Sequence, residues 1–181
     1  MKRQLRSPRL DEFVALQPCG WPACGAVCCY GGAWLDLLEV EDIRANAGLI
    51  SRHMSSGHVD FEDWFQSETE ADPHALSGRV VHTAIVESPA HYHGTACVFL
   101  RPDFRCALQI TGEESGLHPW RFKPFYCILH PLDLDSQGRI TLDEADVLGE
   151  EPGSCLSSAN KERQISDIFF AELDYLVGKD A

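Results

Sequence analysis

Four of the chain's eight cysteines fall within eleven residues, in the run Cys19-Gly-Trp-Pro-Ala-Cys24-Gly-Ala-Val-Cys28-Cys29. Between them stand Gly20, Pro22, Gly25 and Ala26, small or rigid residues that let a backbone wrap several sulfurs around one centre. The stretch from Cys19 to Gly32 has neither a helical nor a strand period, so something other than a hydrogen-bond ladder must order it. The remaining cysteines, Cys97, Cys106, Cys127 and Cys155, are widely spaced, and only the fold brings them together. A lone free cysteine such as Cys155 is readily explained as a small buried hydrophobe. Four within eleven residues, one pair adjacent, are not.

Disulfide frameworks belong to short secreted chains with weak cores. At 181 residues this chain buries roughly 70% of its unfolded surface and needs no such staple. Its basic start (Lys2, Arg3, Arg6, Arg9) runs into Asp11 and Glu12 rather than an apolar stretch, so no secretion signal is expected there. No apolar run approaches the roughly 20 residues of a spanning helix. The expectation is a cytoplasmic protein, in a reducing compartment where clustered thiols hold metal or do redox chemistry. Lys and Arg number 15 against 28 Asp and Glu, a net charge of −13. That balance excludes a phosphate-neutralising surface for nucleic acid and a polybasic membrane patch. It leaves room for a protein partner on an acidic face. A hydrophobic fraction of 44% is that of an ordinary globular domain.

The apolar patterning predicts an α+β fold: a small sheet with several helices and irregular Cys-bearing loops organised around a metal centre. A single domain is expected over 1–181, with a polar, mobile start at 1–12. Leu35, Leu37, Leu38 and Val40 read as a strand entering a helix that carries Ile43, Ala47 and Ile50, with Glu41 and Asp42 in its first turn. A piece around Val59–Gln66 buries Phe61, Trp64 and Phe65, and the acidic stretch 67–78 reads as a loop. Val80–Val86 is β-rich, with Cys97–Leu100 as its neighbour. A short helix starts near Cys106, and Phe122–Leu132 is broken by Pro124 and Pro131. Arg139–Leu142 is a short strand, and a helix spans about 160–177, with Gly178 just past its end.

Thiolates suit zinc, copper(I) and iron–sulfur clusters. Cys19-x4-Cys24 fits the pair spacing of structural zinc, whereas the adjacent Cys28-Cys29 does not. The loop is near the Cys-x4-Cys-x2-Cys run of plant-type iron–sulfur proteins without matching it. Spacing alone does not choose between the metals.

Three elements together resemble the YkgJ-type zinc- or iron-chelating cysteine-cluster proteins, and more closely a bacterial sister group of that family. They are Cys24-Gly25-x-x-Cys28-Cys29, Cys97-x-Phe99-Leu100 followed by Cys106, and Lys123-Pro124-x-x-Cys127-x-x-x-Pro131. The last departs from the family pattern, with Ile128 where an Arg usually stands and His130 in place of a Phe. The likeness spans Cys19 to Pro131, roughly two-thirds of the chain. It implies a cysteine-ligated metal centre, zinc or iron–sulfur, and some relatives of the family resemble lysine N-methylases built around such a cluster. The leading expectation is an iron–sulfur centre, of the 4Fe–4S kind, held by residues from Cys19, Cys24, Cys28, Cys29, Cys97, Cys106, Cys127 and Cys155. A structural zinc module that presents an acidic surface to a protein partner is the alternative, and a cluster-dependent enzyme the third reading. No catalytic residue can be named.

Other features have plainer explanations beside the functional ones. Asp133 to Glu144 mimics a calcium loop, but Gln137 stands where Asp or Asn belongs and Pro131 breaks the incoming helix, so a hairpin turn at Ser136–Gly138 is the better reading. His91 and His93 offer two imidazoles for one strand face, or are partly exposed polar residues before Cys97. His130, three residues after Cys127, is the better outside ligand or second donor. Trp21 shields a cluster from water or belongs to the core. A histidine-activated thiol nucleophile has no local signature.

Overall fold

The protein is described by a computed structural model over residues 5–142 and 158–177. It is a mixed α+β structure of small sheets and short helices, in two compact units. One unit comprises the described residues up to Gly25 and from Ile128 onward, and the other runs Ala26–Cys127.

In the first unit, strands Leu132–Leu134 and Arg139–Leu142 form an antiparallel hairpin, and Leu5–Arg6 adds in parallel to the second of them. The hairpin reading holds, for a visible reason. One Asp135 carboxylate oxygen accepts from Gln137 N and Arg139 N, both at 2.9 Å, and the other from Arg139 Nε at 2.8 Å. The acidic residue is spent on closing its own turn, an Asx-type arrangement, rather than on a cation. The end of the calcium-like run, Asp143 and Glu144, lies outside the described residues. Residues 5–12 are not the loose start their polarity suggested. Ser7 N donates to Ile140 O at 2.8 Å, Ser7 caps the 3-10 turn Pro8–Asp11, and Leu10 is buried.

The helix expected over 160–177 begins later. Residues Ser158–Gln164 are a strand antiparallel to Phe13–Leu16, followed by helices Ile165–Ile168 and Phe170–Val177. Asn160 to Gln164 contains good helix formers but no apolar side chain to pack, so pairing with a neighbouring strand decides its backbone. Helix starts where Ile165 opens the apolar spacing; Ile165, Ile168, Phe169, Leu173 and Leu176 are all buried. Gly178 lies outside the described residues.

In the second unit, strands Trp34–Asp36, Arg79–Thr83 and Phe65–Ala71 form an antiparallel sheet in that order, and Ile85–Glu87 pairs with Thr95–Cys97. The strand expected at Val80–Val86 is thus two strands. Its partner is Thr95–Cys97 rather than Cys97–Leu100, since Ile85 stands opposite Cys97. Helix Leu37–Ala45 starts at a capping box: Asp36 Oδ1 accepts from Leu38 N at 2.8 Å, and Glu39 returns an acceptor to Asp36 N at 3.0 Å. Its acidic first-turn residue is therefore Glu39, with Glu41 and Asp42 further in. The stretch 67–78, expected to be loop, is strand as far as Ala71. Gln66, Ser67, Glu68 and Glu70 are exposed, as suits a charged edge strand.

The core of this unit gathers Leu35, Ile43, Ile50, Trp64, Val81, Val98, Phe99 and Leu108. Helix Ala107–Glu114 lies so close to the following chain that a Cβ on Gly112 would meet His118 O at 2.6 Å and Pro119 O at 3.1 Å. Both obstacles are backbone and cannot swing aside. Gly112→Ala is expected to cost about 1–3 kcal/mol by overpacking, read as a lowered urea midpoint at unchanged slope; an unchanged midpoint would show that the 112–119 segment yields freely. Among the described residues no helix is long and apolar enough to cross a membrane.

Candidate metal centre

Five cysteines come together in the Ala26–Cys127 unit from four separate pieces of chain. Cys28 and Cys29 sit on the 3-10 turn Val27–Cys29, entered through Ala26 at φ 56°, in the left-handed region. Cys29 N closes the turn onto Ala26 O at 2.9 Å. That same carbonyl faces Nε2 of the buried His91 at 3.1 Å, while Nδ1 of His91 faces Thr95 O at 2.7 Å. His91 therefore ties the cysteine turn to the segment leading into Cys97. It does not share a strand face with His93, as one reading had it, because Tyr92–Gly94 is a 3-10 turn with His93 at φ 56°. Nor is His91 a partly exposed polar residue. His93 is exposed and lies against the rings of Tyr30 and Tyr92.

Cys97 ends the strand Thr95–Cys97 and is buried, its Sγ 3.5 Å from Thr83 Oγ1. Cys106 stands at the N-cap of helix Ala107–Glu114, and pairs across an isolated bridge with Leu100. Cys127 lies on helix Phe125–Leu129, its N–H bonded to Pro124 O at 3.0 Å. Cys29 and Cys106 pack against the hydrophobic cluster that contains Cys97, Val98, Phe99 and Leu108. Cys28, by contrast, is exposed, which gives the group a solvent-facing edge.

The five thiols and Lys123 are close enough for their charges to act on one another. Cys29 is pushed well above the ordinary thiol range by its hydrogen bond with Cys28, then by burial and by the neighbouring Cys28, Cys97 and Cys106. Burial raises Cys97 to about 11, against the pull of the Thr83 hydroxyl. Cys127 is likewise raised by burial, with Lys123 pulling it down. Burial works against charge on Lys123, but Cys106 and Cys127, followed by Cys29 and Cys28, more than offset it and favour the ammonium. Raised thiols are the opposite of an activated nucleophile, so that reading gains no support at Cys29, Cys97 or Cys127.

The donor set fits a soft, thiolate-binding metal in kind: five sulfurs and a cation able to balance part of their charge. In geometry, no three His, Cys, Asp or Glu side chains among the described residues converge as a ligand set. The sulfurs share a neighbourhood without forming a coordination shell. Cys19, exposed, and Cys24, half-buried, belong to the first unit, in and beside the turns at 21–26. Cys155 lies outside the described residues. His130 is half-buried in the first unit. Trp21 is 45% exposed, so it is not a core residue. Two residues of the neighbourhood went unpredicted, Thr83 and the side chain of Lys123. Lys123 was visible in sequence only as part of the Lys-Pro-x-x-Cys run, and Thr83 had no local signal at all.

Comparison with known proteins found no matching family, no matching curated protein and no matching solved structure. The resemblance drawn above therefore rests on its own three motif elements.

Proposed function

We propose that this protein binds a thiolate-ligated metal centre through cysteines of the Ala26–Cys127 unit, drawn from Cys28, Cys29, Cys97, Cys106 and Cys127, and that the centre is iron–sulfur. One observation carries the reading: five cysteines from four stretches of chain act on one another, four of them also on Lys123, and five sulfurs are more than a single tetrahedral zinc site uses. Thiol burial explains a lone cysteine easily, but not a group of five that includes the exposed Cys28 and has an ammonium beside four of its members. When bound, such a centre supplies electron storage or a fixed structural node. The chain's own part is to deliver sulfurs, to let their protons leave, and to keep Lys123 charged beside them. Metal binding by comparable thiolates contributes on the order of 10 kcal/mol of folding free energy.

The test is elemental analysis with an absorption spectrum on the full chain purified without oxygen. Iron with matching acid-labile sulfide and broad visible absorption supports the proposal. A colourless protein holding zinc moves it to the structural module, and protein with neither metal rejects it. Replacing Cys28 and Cys29 together by Ser is expected to reduce bound metal to a trace, measured by the same analysis. Full metal retention in that variant would take these two sulfurs out of the site.

A further inference from the structure

Thr83 is fully buried at the end of strand Arg79–Thr83. It is held twice by one residue. Thr83 N donates to Ala33 O at 2.9 Å, and Ala33 N donates to Thr83 Oγ1 at 3.0 Å. The chain approaches this hydroxyl closely: a Cβ on Gly32 would stand 2.6 Å from Thr83 Oγ1, and Gly32 has φ +73°. Glycine is what the approach requires. With the Ala33 N–H pointed at the oxygen, the hydroxyl's own hydrogen needs an acceptor. Among the described residues the remaining neighbour within hydrogen-bonding reach is Cys97 Sγ, at 3.5 Å and itself buried.

We infer that Thr83 is a positioning residue for the metal centre, its hydroxyl donating to the Cys97 sulfur when that sulfur is a thiolate ligand. The inference rests on the metal-binding reading above and extends it, because it makes Cys97 a ligand and names what orients it. A neutral Cys97 thiol can donate to the Thr83 oxygen. A thiolate has no hydrogen, so the hydroxyl turns its own toward the sulfur, while the Ala33 N–H continues to hold the oxygen in place. A donor on a ligating sulfur withdraws electron density from it. It thereby steadies the thiolate and, in an iron–sulfur centre, makes the reduced form more accessible.

The experiment titrates cobalt(II) alone into the metal-free, reduced full chain without oxygen, and follows the thiolate-to-cobalt charge-transfer band. Wild type is compared with Thr83→Val, which keeps the shape and loses the hydroxyl, with Thr83→Ser, which keeps the hydroxyl, and with Thr83→Ala. Outer-shell partners of this kind are worth about 10–100-fold in metal affinity. Thr83→Val is expected to bind cobalt about 10-fold more weakly or worse, with its band moved to longer wavelength because the sulfur is more electron-rich. Thr83→Ser is expected to restore both. A merely structural threonine would alter affinity through stability but leave the band where it was. If Thr83→Val does not fold, as judged by circular dichroism, Thr83→Ala supplies the same loss of hydroxyl without the added methyl group. Wild-type affinity and band position in the folded hydroxyl-less variants overturn the role of Thr83 while leaving the metal site standing. Equal loss in Thr83→Ser overturns it also. Absence of a thiolate band in the wild type overturns the metal reading, and the inference with it.

Discussion

Trp64→Ala is expected to lower stability by about 3–5 kcal/mol, the range for emptying a fully buried large side chain. Trp64 has no exposed surface. Its indole N–H donates to His58 O at 2.8 Å, its ring meets Phe99 edge-on with centroids 5.3 Å apart, and its carbonyl accepts from Ala84 N at 2.8 Å. Truncation removes the ring contact, leaves the His58 carbonyl without its donor, and opens a cavity in the main hydrophobic cluster. Set against a typical total of about 5–15 kcal/mol, that is a large share. The consequence reaches the cysteines. Phe99 follows Cys97 by two residues, and its carbonyl accepts from Ala107 N at 2.8 Å, immediately after Cys106. A Phe99 that sinks into the vacated space carries both cysteines with it. Urea unfolding of Trp64→Ala and Trp64→Phe measures the effect. Phe refills part of the volume and is expected to recover at least half of the loss. A Trp64→Ala cost below about 1 kcal/mol would mean the cluster around Phe99 collapses freely, well under the usual range for such truncations.

What could be read in advance was what short-range chemistry decides. The hairpin at 132–142 follows from Asp135, Gly138 and the flanking apolar residues, all within one turn of each other. The irregular, cysteine-bearing 19–32 stretch, the helix opening at Cys106 and the break at Pro124 were likewise local. The misreadings concern partners far away in sequence. Asn160–Gln164 looks helical until Phe13–Leu16 is beside it, and 67–71 looks like loop until Arg79–Thr83 pairs with it. His91 illustrates the same limit at the site. Its neighbours in sequence suggested a ligand or a surface residue, yet its two ring nitrogens face Thr95 O and, 65 positions away, Ala26 O. Thr83 reaches a cysteine 14 residues on, because the strand pair Ile85–Glu87 and Thr95–Cys97 begins just after it, a contact that no local signal at Thr83 announced. The cysteine density could be seen from composition; which sulfurs share a neighbourhood could not be read from their spacing alone.

Between pH 4.5 and 7 the wild type is expected to lose stability relative to Glu39→Gln, by roughly 3 kcal/mol across the interval. Glu39 joins two helices, its own Leu37–Ala45 and Phe125–Leu129, which bears Cys127. One carboxylate oxygen accepts from Asp36 N at 3.0 Å, closing the capping box, and the other from Phe125 N at 2.7 Å, at the start of the helix that bears Cys127. Burial raises its carboxyl from 4.5 to about 7; the Phe125 and Asp36 N–H groups pull it down, while the like charges of Asp36 and Asp42 push it up. Because the folded chain holds this proton more tightly than the unfolded one, the stabilisation is complete below about pH 4.5 and is lost as pH rises through about 7. Asp36 behaves oppositely. Burial works to raise it, but the N–H groups of Leu38 and Ser77 hold it below its ordinary value, so its contribution is lost as pH falls. Comparing the variant with the wild type at each pH cancels that second effect, along with any fixed cost of changing the cap. Urea midpoints at half-unit steps from pH 4 to 8 give the difference directly. A gap that widens in favour of Gln with rising pH places a neutral carboxyl at Glu39 in the folded protein. A flat or narrowing gap means the carboxylate is charged throughout, its two N–H donors having outweighed burial. The anchor of the Cys127 helix would then be an ionic one.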